Sequence, residues 1–183
     1  MTNNKYEIEK QEQSIDGVKF IFNSHGSKNV VKAIEYALMT HYNGMNVYNL
    51  GFGDIDFEFQ HINDCSNTKN GDIYIVLNTV LHSIPIFFES FPNAAIFIQG
   101  SDSSDDFVRK CRMNCKKNCE LTCKNQHRRM RAYKYYLNKN FHLLTDEYRF
   151  FGEYLNEQDT QPIIEGYIPH KNYKSILVIK NKM

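Results

Sequence analysis

One stretch decides the fold of this chain: Gly71-Asp-Ile-Tyr-Ile-Val-Leu-Asn-Thr-Val-Leu-His-Ser-Ile-Pro-Ile-Phe-Phe-Glu-Ser-Phe-Pro92. Its apolar residues recur at intervals of three and four, as they do on one face of a helix. They are Ile73, Val76, Leu77, Val80, Leu81, Ile84, Phe87 and Phe88. Asp72 stands where a capping side chain is expected. The stretch therefore predicts a long helix over about 71–91, kinked where Pro85 removes a hydrogen bond.

Short segments rich in β-branched and aromatic residues lie on both sides of this helix. They predict strands at 6–12, 18–23, 46–52, 54–59, 94–99, 145–151 and 173–180. The dipeptide Asp16-Gly17 predicts a hairpin turn between the first two strands. A second helix is predicted over about 128–139, and the acidic run 102–106 predicts the start of another. Residues 29–39 fit both a helical face and an alternating strand, and their periodicity mildly favours a helix.

The composition predicts one compact domain. The chain has 183 residues, 42% of them hydrophobic, with nine glycines and four prolines. The 13 phenylalanines and 12 tyrosines exclude a disordered chain, because such chains are poor in aromatic residues. We expect a single α+β domain over 1–183, with a mainly antiparallel sheet of about six or seven strands packed on the two helices.

Four of the five cysteines recur at every fourth residue, and a histidine follows at the same interval. These candidate metal ligands are Cys111, Cys115, Cys119, Cys123 and His127. On a straight helix the four thiols would span about 120° and about 18 Å, too far for one metal ion. Neighbouring cysteines would then form two half-sites, each completed by another element or another chain.

Other interpretations of the cysteines remain open at this stage. A bend near Asn114 or Asn118 would gather all four thiolates around one zinc ion, and Cys119, Cys123 and His127 would suit zinc with an outside ligand. Soft thiolates also suit Cu(I) or an iron-sulfur cluster. The cysteines could equally form an apolar packing stripe, or take part in disulfide or redox chemistry.

The cysteine-rich segment is strongly basic. From residue 109 to residue 134 the chain has ten lysines and arginines and one acid, Glu120. The candidate phosphate-binding residues are Lys116, Lys117, Arg128, Arg129, Arg131 and Tyr133. Cations interleaved with Tyr133, Tyr135 and Tyr136 suit phosphate contacts and base stacking. The segment therefore predicts a nucleic-acid or acidic protein partner, or docking on a second copy of the chain.

Asp54, Asp56 and Glu58 alternate along a predicted strand and would share one face of it. Paired carboxylates are typical ligands for Mg²⁺ in hydrolases of nucleic acids and nucleotides. Alternating acids are more often a solvated strand face. A Mg²⁺-dependent hydrolase is therefore the enzymatic alternative to a binding protein.

Two motifs resemble those of an uncharacterised bacterial family found mostly in Bacteroidota. They are Asn46-Val-Tyr-Asn-Leu-Gly-Phe-Gly-Asp54 and the strand end Gly100-Ser101, followed by Arg129-Met-Arg131-Ala-Tyr133 on a helix. In that family the strand leads directly into the helix. The resemblance implies that residues 102–126 are a cysteine-rich insertion into a shared α+β scaffold. It also favours a strand over 29–39, and it implies no activity.

The sequence predicts a soluble, cytoplasmic protein that does not span a membrane. It has no run of 18 or more apolar residues, and its first residues lack the apolar stretch of a secretory signal. The leading interpretation is a non-catalytic protein whose basic cysteine-rich element, stabilised by zinc, contacts nucleic acid or an acidic partner. The alternatives are the Mg²⁺-dependent hydrolase and a self-assembling structural or regulatory protein, such as a homodimer paired through its cysteine helices.

Overall fold

The structure is a computed structural model, and it describes residues 4–56, 61–63, 70–115, 117, 119–120, 122–155 and 161–181. The chain divides into two compact units, Met1–Phe97 and Ile98–Met183. Helices and mainly antiparallel strands occur in both units, which confirms the predicted α+β class. The described residues form nine strands, a little more than the six or seven that the sequence predicts.

The first unit contains one helix and a sheet that continues to its boundary. Its elements are β1 (Glu9–Ser14), β2 (Gly17–Ser24), β3 (Val30–Tyr42), β4 (Met45–Asp56), β5 (His61–Asn63), α1 (Ile73–Ser90) and β6 (Ala95–Gln99). Strands β1 to β4 pair antiparallel in chain order, and β5 pairs antiparallel with the end of β4. Strand β6 returns parallel to β4.

The register of this sheet aligns its apolar residues on one face. Phe20 lies opposite Ile34, and Ile34 lies opposite Phe52. Because side chains alternate along a strand, every second residue of β2, β3 and β4 joins them on that face. Phe20 and Ile34 are almost fully buried. The sheet therefore has one apolar face for the core of the unit.

Helix α1 lies against this face. Phe87 is fully buried, and its ring stacks on Tyr36 with ring centroids 4.3 Å apart. The Tyr36 hydroxyl lies 2.7 Å from Oγ of Ser83, whose own hydroxyl donates to the Val80 carbonyl. Tyr36 is therefore the donor in the first bond. The predicted apolar face of α1 is the one that is buried, through Val76, Leu77, Val80, Ile84, Phe87 and Phe88.

The start of α1 differs from the prediction. Asp72 occupies the N-cap position, but its carboxylate accepts no hydrogen bond from the helix. It accepts from the hydroxyls of Tyr6 at 2.9 Å and Ser24 at 2.6 Å instead. The prediction that Asp72 caps the helix is therefore wrong: its backbone, at φ −97° and ψ 17°, is not the extended one of a capping residue, and its carboxylate is directed to the two hydroxyls. Pro85 lies inside the helix, as predicted.

By length and composition, α1 is the one helix within the described ranges that could cross a membrane. In the structure 44% of it is buried inside the protein. The core helix of a soluble protein has the same length and composition, so this marginal signal fits the packing of α1 on the sheet.

The second unit contains the other two helices and three strands. Its elements are a 3-10 turn (Ser101–Ser103), α2 (Asp105–Asn114), α3 (Arg128–Leu144), β7 (Tyr148–Tyr154), β8 (Ile163–Gly166) and β9 (Ser175–Lys180). Strand β7 pairs antiparallel with both β8 and β9. Helix α3 packs through Phe141, whose ring centroid lies 5.9 Å from that of Phe150 and 5.6 Å from that of Tyr167.

A cluster of charge and aromatic rings follows β8. The Lys171 ammonium lies 2.6 Å from a carboxylate oxygen of Glu165 and 3.8 Å from the centre of the Tyr154 ring. The Tyr173 hydroxyl donates to the same Glu165 oxygen at 2.6 Å. The cluster joins β7 and β8 to the segment that leads into β9.

Most predicted elements are present with shifted ends. Residues 29–39 form a strand, as the family resemblance favours and the periodicity alone does not. The strands predicted at 46–52 and 54–59 are one continuous strand up to Asp56, and residues 57–60 lie outside the described ranges. Helix α3 runs five residues beyond the predicted 139. Strands β5 and β8 are not predicted by the sequence.

Candidate metal centre and basic surface

The cysteines do not lie on one helix. Helix α2 begins at the Ser104 cap, whose hydroxyl oxygen accepts from the Phe107 N–H at 3.1 Å, and it ends at Asn114. Cys111 is therefore helical, and Cys115 follows the helix with an extended backbone. The expectation of a continuous cysteine-bearing helix is wrong. The alternative in which the segment bends near Asn114 agrees with the structure.

This bend brings the four thiols together. The Sγ atoms of Cys115 and Cys119 are 3.5 Å apart. The thiol of Cys111 interacts with those of Cys115 and Cys123. Each of the four thiols thus interacts with at least one of the others. No disulfide joins them.

Hydrogen-bond donors surround these sulfurs. The backbone N–H of Lys124 donates to Sγ of Cys119 at 3.3 Å, and the Asn125 side-chain amide donates to Sγ of Cys111 at 3.3 Å. Further backbone donors are Lys117 and Cys119 to the Cys115 thiol, and Asn125 and Gln126 to the Cys123 thiol. N–H donors of this kind stabilise thiolates, because each places a partial positive charge beside the sulfur.

The pKa shifts follow the donors. The backbone N–H of Lys117 and the thiol of Cys119 lower the pKa of Cys115. Burial raises the pKa of Cys123, but the backbone N–H of Asn125 and the Cys111 thiol outweigh it, so the net shift is downward. At Cys111 the Asn125 amide lowers the pKa. Burial and the thiols of Cys123 and Cys115 together raise it by more, so the net shift is upward. Two of the four thiols are thus biased towards the thiolate form.

Asp102 joins the two ends of the cysteine-rich segment, residues 103–126. Its carbonyl accepts from the His127 N–H at 3.1 Å, and its carboxylate Oδ2 accepts from the Arg129 N–H at 3.0 Å. The Asp102 side chain is 5% exposed. The two ends of the segment therefore meet at one residue, which also serves as the missing cap of α3.

The space around Asp102 is tight. A Cβ placed on Gly100 would lie 2.7 Å from the other carboxylate oxygen of Asp102 and 3.1 Å from the Met130 nitrogen. Glycine at position 100 thus lets the strand end approach the start of α3 closely. Sequence analysis missed Asp102, because its acidic neighbours made it resemble the start of α2.

A family of unknown function, DUF6934, matches residues 2–125. The chain belongs to this family. The matched range takes in the four clustered cysteines and ends just before α3. No curated protein and no solved structure is detectably similar to the chain.

Membership of the DUF6934 family agrees with the predicted resemblance to an uncharacterised family. The motif at 46–54 and Gly100-Ser101 lie within the matched residues, whereas the Arg129–Tyr133 motif lies beyond them. The family carries no activity to transfer, so function has to be argued from the site.

His127 is placed apart from the thiols in the predicted ligand set. It begins α3 with a left-handed backbone, φ 58°, and its N–H belongs to the Asp102 contact. The contacts of the described residues do not include one between its ring and a thiol. The thiol interactions of the described residues thus link the four cysteines and do not include the His127 ring.

The candidate phosphate-binding residues divide into two groups. Lys117, Arg128 and Arg131 are exposed, and Lys116 lies outside the described ranges. Arg129 and Tyr133 are half-buried. Because the Asp102 carboxylate occupies the amide of Arg129, an anion has less access to the start of α3 than the sequence suggested.

The described residues do not show the three candidate Mg²⁺ ligands, Asp54, Asp56 and Glu58, as one site. Asp54 forms an ion pair with Lys32, its register partner on β3, and both side chains are largely buried. The side chain of Asp56 and the whole of Glu58 lie outside the described ranges. Asp54 therefore has a partner within the sheet, which sequence analysis missed because Lys32 is distant in the chain.

Proposed function

We propose that this DUF6934 protein is a non-catalytic nucleic-acid-binding protein whose basic cysteine-rich segment folds around a thiolate-bound zinc ion. The observation that carries the proposal is the convergence of Cys111, Cys115, Cys119 and Cys123 within a segment whose exposed side chains are mostly basic. A zinc ion bound by the four thiolates would organise the loop, and the cations around it would contact phosphates.

The donor set fits zinc. Structural zinc sites are commonly tetrahedral with four cysteines, and a Zn–S bond of about 2.3 Å implies sulfurs about 3.8 Å apart. The 3.5 Å between Cys115 and Cys119 is close to that spacing. Backbone N–H donors to the sulfurs are also typical of the shell around metal-bound thiolates. The four thiolates would supply the charge that a divalent ion requires.

The four sulfurs do not have the tetrahedral arrangement of an occupied zinc site. Across the described part of the chain, no group of three or more histidine, cysteine, aspartate or glutamate side chains has the geometry of a metal centre. Each of the four thiols nevertheless interacts with at least one other thiol, and N–H groups donate to them, which supports a shared site.

Charge supports the choice of partner. The segment presents Arg109, Lys110, Arg112, Lys117 and Lys124 as exposed cations. Arg109 pairs with Asp106 at the surface, where such pairs contribute little. A dense group of exposed cations attracts a polyanion over about one Debye length, and nucleic acid is the commonest polyanion in a cell. The proposal places the protein in the cytoplasm, where thiols stay reduced.

The metal is tested by elemental analysis and native mass on protein purified under reducing conditions. We expect one zinc ion per chain, and none in C115S/C119S. The matched control is C65S, which removes the remaining cysteine and should keep its zinc. Wild-type protein without stoichiometric metal contradicts the zinc site. One zinc ion shared by two chains contradicts a site built within one chain.

Nucleic-acid binding is tested by fluorescence anisotropy with labelled oligonucleotides at several salt concentrations. We expect the logarithm of the binding constant to fall steeply against the logarithm of salt, because each phosphate contact releases counterions. A slope near zero contradicts the proposal. Polyglutamate that competes as well as nucleic acid also contradicts it, and favours an acidic protein partner.

A further inference from the structure

One face of α3 carries a regular stripe of exposed polar side chains. The stripe consists of Arg128, Arg131, Tyr135, Lys139 and His142. Their spacings of three and four residues keep them within about 80° of the helix surface, over about 21 Å of its length. We call these five residues the α3 stripe.

The rest of α3 is anchored. Met130, Leu137 and Asn140 are buried, and the Asn138 side chain accepts from the Tyr167 hydroxyl at 2.9 Å. Burial raises the pKa of Tyr136, which lies on the inner side. The helix is therefore held from one side by its own unit, and the stripe faces solvent.

The positive charge of α3 is not explained by helix stability. The helix has no acidic residue, and three arginines stand in its first four positions, where the helix dipole disfavours cations. Burial lowers the pKa of Lys134, and so does the positive charge of Arg131. None of the salt bridges between described residues involves Arg128, Arg131 or Lys139. An anionic ligand would relieve this repulsion.

Tyr135 sits in the middle of the stripe. Tyr135 is 57% exposed, so its ring is open to solvent. Tyr133 and Tyr136 are partly buried, so the structure selects one of the three tyrosines as available to a ligand. An exposed ring between cations is the pattern of single-strand binding, in which bases stack on the ring while cations hold the backbone.

We propose that the α3 stripe binds single-stranded nucleic acid, with Tyr135 stacking on a base and Arg128, Arg131 and Lys139 contacting phosphates. This inference rests on the proposed nucleic-acid-binding function. It adds a second contact surface, which follows the cysteine-rich segment in the chain, and it names the strand class. A duplex is disfavoured as the ligand, because its bases are stacked on one another and closed to the ring. DNA and RNA strands both offer phosphates and unstacked bases, and the experiment distinguishes between them.

The test uses the full chain and fluorescein-labelled dT12 and rU12, with a mixed-sequence 12-base-pair duplex as competitor. We expect Y135L to weaken binding about tenfold, and Y135F to bind like wild type, since base stacking is typically worth about 1–3 kcal/mol. We expect R131Q/K139Q to reduce the salt slope by about 1.4, or about 0.7 for each lost phosphate contact. The charge-matched control is K10Q/K28Q, two exposed lysines of the first unit.

Each result decides the proposal. The proposal is supported if Y135L and R131Q/K139Q bind more weakly while Y135F and K10Q/K28Q bind like wild type. The ratio of the dT12 and rU12 affinities then shows whether the protein prefers DNA or RNA. Duplex bound more tightly than single strand overturns the proposal, as does Y135L that binds like wild type. Wild-type protein that binds no nucleic acid overturns the proposed function as well. Circular dichroism confirms that these surface variants stay folded.

Discussion

The Asp102 carboxylate accepts a hydrogen bond from the backbone N–H of Arg129 at 3.0 Å, across the whole cysteine-rich segment. A helix whose first turn is cationic lacks favourable charge at its start, and its first N–H groups need acceptors. Asp102 supplies both the charge and the acceptor. The start of α3 thus depends on a residue 27 positions earlier in the chain.

We expect D102N to lower the free energy of unfolding by about 1–2 kcal/mol, because it removes the charge from a buried helix cap. Urea denaturation followed by circular dichroism measures the change. D106N is the matched control, since Asp106 is exposed in the same segment. Equal stability of the two variants would show that the Asp102 contact does not stabilise α3.

The ion pair between Lys32 and Asp54 gives a prediction about the sheet. We expect D54A to destabilise the protein by about 3 kcal/mol, because it leaves the buried Lys32 ammonium without its partner. The double variant K32M/D54L should recover much of the loss, since apolar residues of similar size often replace buried pairs without cost. Thermal and urea denaturation measure both. If D54A is as stable as wild type, the ion pair does not stabilise the sheet. Asp54 would then again be a candidate Mg²⁺ ligand.

Phe87 is the centre of the aromatic core of the first unit. Its ring contacts those of Tyr36, Tyr48 and Phe91, and its side chain is fully buried. We expect F87A to lower the free energy of unfolding by about 3–5 kcal/mol, through lost burial and the cavity left behind. Y74A, on the exposed side of the same helix, should have little effect. A loss for F87A no larger than for Y74A would mean that α1 does not pack as described.

Glu165 makes stability depend on pH. Hydrogen bonds from Lys171 and Tyr173 lower its pKa below 4.5. Because the folded-state pKa is the lower one, the stabilisation is present above pH 4.5 and is lost as the pH falls through the folded value. We therefore expect wild type to be more stable than E165Q at pH 7, and the difference to shrink towards pH 3. A difference that stays constant from pH 7 to pH 3 would contradict an ionised Glu165 contact.

Sequence periodicity predicted α1 because only one of its faces is apolar. It misled at residues 29–39 because apolar residues stand on both faces of β3. Ile34, Tyr36 and Leu38 share one face, while Val31, Ala33 and Ala37 lie on the other, where Ala33 is buried but Ala37 is exposed. Apolar residues on both faces of a strand imitate the three-and-four spacing of a helix.

The cysteine spacing misled for a related reason. An interval of four residues is typical of a helix, yet Asn114 ends α2 and the next three cysteines follow in irregular backbone. The identity of the clustered cysteines could be predicted, since thiols at regular intervals are rare. Their donors could not, because Asn125 and the backbone N–H groups acquire their role only from the path of the chain. The same holds for Lys32 and Asp102, whose partners are distant in sequence.

The closure of the segment at Asp102 has a consequence for how such proteins diversify. Residues 103–126 leave and return at neighbouring points, with the carbonyl of Asp102 receiving the N–H of His127. A piece of chain with this layout can be lengthened, exchanged or deleted as one block while the strand end and α3 keep their junction. The cysteine-rich segment is thus a loop closed at a single junction, and we expect α3 to stay folded in a chain from which residues 103–126 are removed.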